Sequence, residues 1–176
     1  MPSDIGCEDL FAAVARARVG PEPEGVPFPQ ADSFARVIDL LTQLRGAGGV
    51  LTQDYITSNY AFDLRQTRYY TDAASYLGLV VRRGRGQGTT YALTPLGDRI
   101  MSLAPRARNR ALVECLLARR VFHDTLKIYL EAGERPAAGQ VEEFIRRARP
   151  ELSDDTVKRR AGTVLSWAGW VMGLTA

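Results

Sequence analysis

The sequence predicts a mainly α-helical fold that carries one small β-hairpin. Through most of the 176 residues, apolar side chains recur at three- and four-residue spacing, the pattern of a helix with one face against a core. Residues 80–93 differ, because two short β-compatible runs flank a turn that contains Gly84, Gly86 and Gly88. Glycine adopts positive φ readily, so this turn predicts a tight hairpin.

Residues 1–32 predict one helix followed by an extended linker. The helix spans Glu8–Arg18, where Leu10, Phe11 and Val14 have helical spacing. Four prolines between residues 19 and 32 oppose any regular helix there. We expect the first helix to pack on the body of the protein; packing on a partner is the alternative.

Residues 33–104 predict the order helix, strand, helix, helix, hairpin. Ser33 is the expected N-cap of the first helix, and Asp63, at the end of the turn 61–63, that of the third. The other elements are predicted at Phe34–Arg45, Val50–Thr52, Gln53–Tyr60, Val80–Arg83 and Thr90–Leu93, with a closing helix from Thr94 and Pro95 to Leu103. This order is that of a winged helix-turn-helix, which places one helix in a DNA groove and the hairpin against the backbone.

The third predicted helix has one polar face. With Tyr70 at the buried centre, helical spacing puts Ala73, Ala74 and Leu77 inward, and Arg65, Arg68, Asp72 and Ser75 outward, flanked by Tyr69, Tyr76 and Thr71. Recognition helices reach base edges with their N-terminal residues, so we predict DNA contacts from Arg65, Arg68 and Tyr69. Gln66, near the inward edge, either orders the helix start or reads a base. A solvated surface helix is the alternative.

The hairpin tip is basic. Arg82, Arg83 and Arg85 stand beside the glycines, which allow a close approach to a phosphate backbone. A nucleotide-binding loop is disfavoured, because no G-x-x-x-x-G-K-[ST] is present and the glycines lie between strands rather than before a helix.

Residues 105–176 predict a second helical unit. Helices are expected at Arg106–Arg120, from Val121 to near Gly133, at Ala138–Ala148 and, capped by Ser153, at Asp154–Val171. The last helix is predicted to expose Arg159, Thr163 and Ser166, with Thr156, Arg160 and Trp167 on the flanks. The pattern is helix-turn-helix-like, and it predicts further DNA contacts from Arg159, Arg160 and Thr163.

Charge is unevenly distributed along the chain. The net charge is +3, but Met1–Ala35 carries six acids against two arginines, whereas Leu64–Arg120 carries eleven arginines against three acids. A basic middle of this kind is typical of phosphate binding.

Several classes of protein and site are disfavoured. Cys7 and Cys115 lie far apart, which favours two reduced thiols in a cytoplasmic protein. No apolar run reaches the length of a membrane span, and the N-terminus lacks the pattern of a secretion signal. We therefore expect a cytoplasmic protein without a membrane partner.

The sequence predicts no active site and no cofactor or metal. No Asp or Glu is followed two positions later by Lys, as the common metal-dependent nucleases require. His123 is the only histidine, which disfavours zinc and histidine-based chemistry. The carboxylate pairs Glu142–Glu143 and Asp154–Asp155 stand at helix starts, where the helix dipole accounts for them.

Residues 62–97 contain a set of residues with a recognisable spacing: Phe62, Asp63, Arg65, Gln66, Tyr69, Tyr70, Ala73, Tyr76, Leu77, Gly78, Leu79, Tyr91, Leu93, Thr94 and Gly97. This set resembles the winged-helix DNA-recognition domains associated with type II restriction endonucleases. A weaker similarity continues in the last helix through Ser153, Thr156, Arg159, Arg160, Thr163, Val164 and Trp167. The resemblance implies a module that reads DNA or modified DNA and delivers it to a nuclease.

Three functional hypotheses follow. The first is a double-stranded DNA-binding recognition module of a restriction or other defence system, with catalysis in a separate chain or domain. The second is a bacterial transcription regulator that dimerises through its helical C-terminal half. The third is a protein-interaction subunit of a larger complex, whose winged helix docks another protein.

Overall fold

The computed structural model describes residues 4–60 and 63–176. Within these residues the chain is mainly helical, with one small three-stranded antiparallel sheet. It divides into two compact units. The central unit is Gly25–Leu103, and the terminal unit joins residues 4–24 to Ala104–Ala176. The predicted N-terminal segment 1–32 is thus divided between them.

Among the described residues, no helix combines the length and the hydropathy needed to cross a bilayer.

The central unit contains four helices and the sheet. Its elements, in order, are α2 (Phe34–Gly46), β1 (Val50–Thr52), α3 (Gln53–Asn59), α4 (Leu64–Tyr76), β2 (Val80–Arg83), β3 (Thr90–Leu93) and α5 (Pro95–Met101). The predicted hairpin strands are confirmed to the residue. Strand β1 also pairs with β3, with Leu51 opposite Tyr91, so the strand order is β1-β3-β2.

The helix starts follow from local capping, which was predicted at Ser33, Asp63 and Thr94. Ser33, Thr52, Asp63 and Thr94 each accept a hydrogen bond from a backbone N–H in the first turn of the following helix. Each cap gives an acceptor to a backbone N–H group that has no hydrogen-bond partner within its own helix. Ala61 and Phe62, predicted in the turn before α4, lie outside the described residues.

Tyr76 and Thr71 of α4 are buried rather than on the flanks of an exposed face. Tyr76 is fully buried, and its ring packs edge-on against Phe28, with centroids 5.4 Å apart. Phe28 comes from the linker that precedes α2, so this segment covers the end of α4. Asp72 and Ser75 are half-buried, so the exposed polar residues of α4 lie in its N-terminal half.

The terminal unit is built from five helices. These are α1 (Cys7–Arg16), α6 (Pro105–Leu117), α7 (Arg120–Ala132), α8 (Ala138–Ala148) and α9 (Asp154–Gly173). Phe122 of α7 stacks on Trp167 of α9 with ring centroids 5.2 Å apart, and both rings are fully buried. The Ile5 N–H donates to the Leu174 carbonyl at 3.1 Å, which ties the segment before α1 to the end of α9.

Candidate nucleic-acid interface

The N-terminal half of α4 presents two exposed arginines, Arg65 and Arg68. The Arg65 Nε donates to the hydroxyl of Tyr69, and its guanidinium carbon lies 5.4 Å from the centre of that ring. This hydrogen bond raises the pKa of Arg65 above its ordinary value. Tyr69 thus holds Arg65 in one orientation, whereas no described residue engages the Arg68 guanidinium.

Gln66 belongs to the start of α4. Its backbone N–H donates to Asp63 Oδ1 at 2.7 Å, and its side-chain Oε1 accepts from the Asp63 N–H at 3.4 Å. The two residues form a capping box, which occupies the side-chain oxygen that would otherwise accept from a base. Of the two roles predicted for Gln66, this geometry shows the ordering of the helix start.

A groove of about 350 Å³ runs between α4 and the hairpin. Arg68 lies on its α4 side and Arg82 on its β2 side. The remaining lining residues are Gln53, Asp54, Thr57, Leu64, Gly86 and Gln87. Two arginines therefore converge on one concavity with a single carboxylate, that of Asp54.

The pairing of the strands decides where each hairpin arginine points. Arg82 is opposite Tyr91, which is buried and donates from its hydroxyl to Gln53 Oε1 at 3.3 Å. Since directly paired residues share a face of the sheet, Arg82 lies on the α3 and α4 side. Arg83 lies on the other face with Val81, because side chains alternate along a strand. Arg82 and Arg83, predicted together with Arg85 at one basic tip, thus occupy opposite faces of the sheet.

Glycine shapes the hairpin tip. Gly84 has φ of 78°, and a Cβ there would come within 2.7 Å of the Gly88 carbonyl oxygen. Residues Gly86–Gly88 form a single 3-10 turn, closed by a hydrogen bond of 3.2 Å from the Thr89 N–H to the Gly86 carbonyl. Arg85 precedes this turn in an extended conformation and is exposed.

The arginines of this surface are not neutralised within the protein. Across residues 4–60 and 63–176, no carboxylate lies within 4 Å of Arg68, Arg82, Arg83 or Arg85. Several arginines of the terminal unit are paired: Arg146 with Glu142 and Asp154, Arg147 with Glu143, and Arg149 with Glu151. Four arginines without a carboxylate partner therefore lie on α4 and the hairpin.

Residues 36–176 match the domain of unknown function DUF7226. The chain belongs to the DUF7226 family. No curated protein and no solved structure was found to match it. The DUF7226 region begins inside α2 and includes α4, the hairpin and α9, so it contains every residue predicted to contact DNA.

In the C-terminal part of the DUF7226 region, only part of the predicted surface is exposed. Arg159 is exposed and Arg160 is half-buried, but Thr163 and Trp167 are fully buried. The predictions of an exposed Thr163 and a flanking Trp167 are therefore wrong. Helix α9 packs against both α7 and α8, so its buried face is wider than that of a helix with one neighbour. Thr163 consequently has no surface with which to meet DNA.

The groove between α4 and the hairpin also includes residues that were not predicted to belong to a site. Gln53, Asp54 and Thr57 come from α3, which the pairing of β1 with β3 brings beside the hairpin. Only Gln87 carried a usable signal, because it stands in the glycine-rich tip. In the described part of the chain, no group of three or more His, Cys, Asp or Glu side chains is arranged to hold a metal ion.

Proposed function

We propose that the central unit binds double-stranded DNA as a winged helix-turn-helix, with α4 in the major groove and the hairpin on the phosphate backbone. The observation that carries this proposal is the groove between α4 and β2, where Arg68 and Arg82 converge without a carboxylate partner. Unneutralised guanidinium groups suit phosphate oxygens and guanine edges, both of which accept bidentate hydrogen bonds.

The topology supports the same proposal. The order α2, β1, α3, α4, β2, β3, with β1 paired to the last strand, is the order expected of a winged helix. Asp63 and Gln66 fix the first turn of α4, and Tyr69 orients Arg65. Ordered side chains lose less conformational entropy when they bind, so this helix start is suited to reading base edges.

The biological role proposed is recognition for a restriction or defence system, with cleavage by a separate chain or domain. Its support is the resemblance of residues 62–97 to winged-helix domains associated with type II restriction endonucleases. The terminal unit offers fewer side chains for DNA contact than predicted, since Thr163 is buried and Arg146, Arg147 and Arg149 are paired with carboxylates. Arg159 is exposed there, and a DNA contact from Arg159 stays a prediction.

The test is a titration of random-sequence duplex DNA at several salt concentrations, read by fluorescence anisotropy. A triple alanine variant of Arg82, Arg83 and Arg85 is expected to bind more weakly and with a flatter salt dependence. The matched control removes the same number of charges, at Arg16, Arg18 and Arg135, which are exposed in the terminal unit. Equal behaviour of the two triple variants would contradict the hairpin contact.

Selection of bound sequences from random DNA, methylated and unmethylated, tests the recognition role. Enrichment of a motif in either pool is expected. If wild-type protein shows no saturable DNA binding and enriches nothing, the proposal is wrong, and a protein-docking role for the winged helix becomes the better one.

A further inference from the structure

The terminal unit carries a second groove, of about 580 Å³, between α1 and α7. This volume falls within the range of small-molecule binding sites. One wall is formed by Phe11, Val14 and Ala15 of α1, with Ala17 and Val19 just after it. The other wall is formed by Arg120, His123, Lys127, Leu130 and Glu131 of α7.

Helical spacing makes each wall continuous. Arg120, His123, Lys127 and Leu130 recur every three or four residues, so their side chains share one face of α7. His123 joins the walls, because its Nε2 lies 3.0 Å from the Val14 carbonyl oxygen while its Nδ1 lies 3.1 Å from Asp124 Oδ1. Both partner atoms are acceptors, and the ring donates through whichever nitrogen carries its hydrogen. This contact orients the ring at the wall of the groove.

The body of the groove is apolar. Val14 and Leu130 are each 8% exposed and form its floor, while Phe11 at the edge is 46% exposed. A large aromatic side chain in water next to an apolar floor offers surface that a ligand can cover. Covering such surface is favourable in proportion to the apolar area removed from water.

One side of the groove is cationic. Lys127 is exposed, and no described carboxylate lies within 4 Å of its ammonium group, although Glu131 is one helical turn away. Arg120 reaches only Asp124, at 3.9 Å, and it lies about 10 Å from Lys127 along the helix axis. The groove therefore combines an apolar body with an available positive charge at Lys127.

We propose that this groove binds a small amphipathic anion, a carboxylate on an alkyl or aryl body. The body covers Phe11, Val14 and Leu130, and the carboxylate pairs with Lys127. A cation of the same shape meets like charge from Lys127 and Arg120, which outnumber the one carboxylate of the lining, that of Glu131. A neutral molecule makes no ion pair with Lys127. This site lies outside the proposed DNA surface, so it stands or fails independently of DNA binding.

The test uses the full chain, anilinonaphthalene sulfonate as a fluorescent probe, and competition by straight-chain carboxylates from hexanoate to dodecanoate. Each added methylene is expected to tighten binding about fourfold, because burial of one methylene group in an apolar site is favourable by that factor. Decanol and decyltrimethylammonium should compete much less well than decanoate. Since His123 is the only histidine, its imidazole proton signals report by NMR whether a ligand enters this groove.

Lys127→Gln should weaken decanoate binding severalfold and leave decanol unaffected. The matched control is Lys158→Gln, which removes the only other lysine, exposed on α9. Equal loss in the two variants, equal competition by decanol and decanoate, or unchanged His123 signals on saturation would each overturn the proposal. An absence of saturable binding by any carboxylate in the series would overturn it as well.

Discussion

Replacing Arg82 by alanine should weaken DNA binding about eightfold at roughly 0.1 M salt, whereas replacing Arg83 should change it far less. The two arginines are neighbours in sequence with the same charge, and both are exposed. They differ in direction: Arg82 lies on the groove side, opposite Tyr91, and Arg83 lies on the other face of the sheet. The pair therefore tests which face meets DNA while net charge stays equal.

The magnitude follows from counterion release. Each phosphate neutralised contributes about 0.9 to the slope of log affinity against log salt, which corresponds to about eightfold at roughly 0.1 M. Between about 50 and 200 mM salt, the fold-loss of affinity should be about 3.5 times smaller for the Arg82→Ala variant than for the wild type. Arg82 has no carboxylate partner among the described residues, so its replacement leaves no carboxylate without its ion pair.

The assay is fluorescence anisotropy with one labelled duplex across that salt range, and thermal melts should show both variants folded. Equal losses for Arg82→Ala and Arg83→Ala would refute the assignment of the groove face to DNA. A larger loss for Arg83→Ala would place DNA on the opposite face of the sheet. Unchanged slopes of log affinity against log salt in both variants would show that neither Arg82 nor Arg83 contacts DNA.

Three further predictions concern single positions. Arg68→Ala should cost about 1–3 kcal/mol of discrimination at a selected site, measured by competition between that site and a mutated one, whereas Arg99→Ala on α5 should leave it unchanged. Gly97→Ala should lower the free energy of unfolding by about 1–3 kcal/mol in urea titrations, because a Cβ there would come within 2.2 Å of the Leu79 carbonyl oxygen. The control is Gly162→Ala on α9, where a Cβ would meet no other atom; this variant should not be destabilised. Gln66→Ala should lower the free energy of unfolding by less than about 1 kcal/mol through loss of the capping box, and it should leave the selected DNA motif unchanged; an altered motif would show that Gln66 reads a base.

Local features of the fold were predictable from the sequence. The hairpin strands match the structure to the residue, because strand propensity and the glycines of the turn act over a few positions. The same holds for Ser33, Asp63 and Ser153, whose side chains cap helices that begin immediately after them. Such interactions need no knowledge of distant residues.

Features that depend on distant contacts were not predictable. The burial of Thr163 results from two helices that pack on α9, and periodicity along one helix does not show how many neighbours it has. The contribution of α3 to the groove between α4 and the hairpin depends on contacts such as that between Tyr91 and Gln53, which are 38 positions apart in sequence. The candidate site was therefore predictable for α4 and the hairpin tip, but not for the α3 side.

The division of the chain into units has a consequence for the order of folding. Every segment of the central unit lies between Gly25 and Leu103, whereas α1 packs against α6 and α7, and Ile5, just before α1, bonds to Leu174. During synthesis the central unit can therefore fold as soon as it has emerged, whereas α6 and α7 have not yet been made. Until then the apolar side chains of Leu10 and Val14 in α1 stay exposed to water. We expect ribosome-bound chains just long enough for Leu103 to have left the ribosome to protect the central unit from proteolysis and to leave α1 open to cleavage.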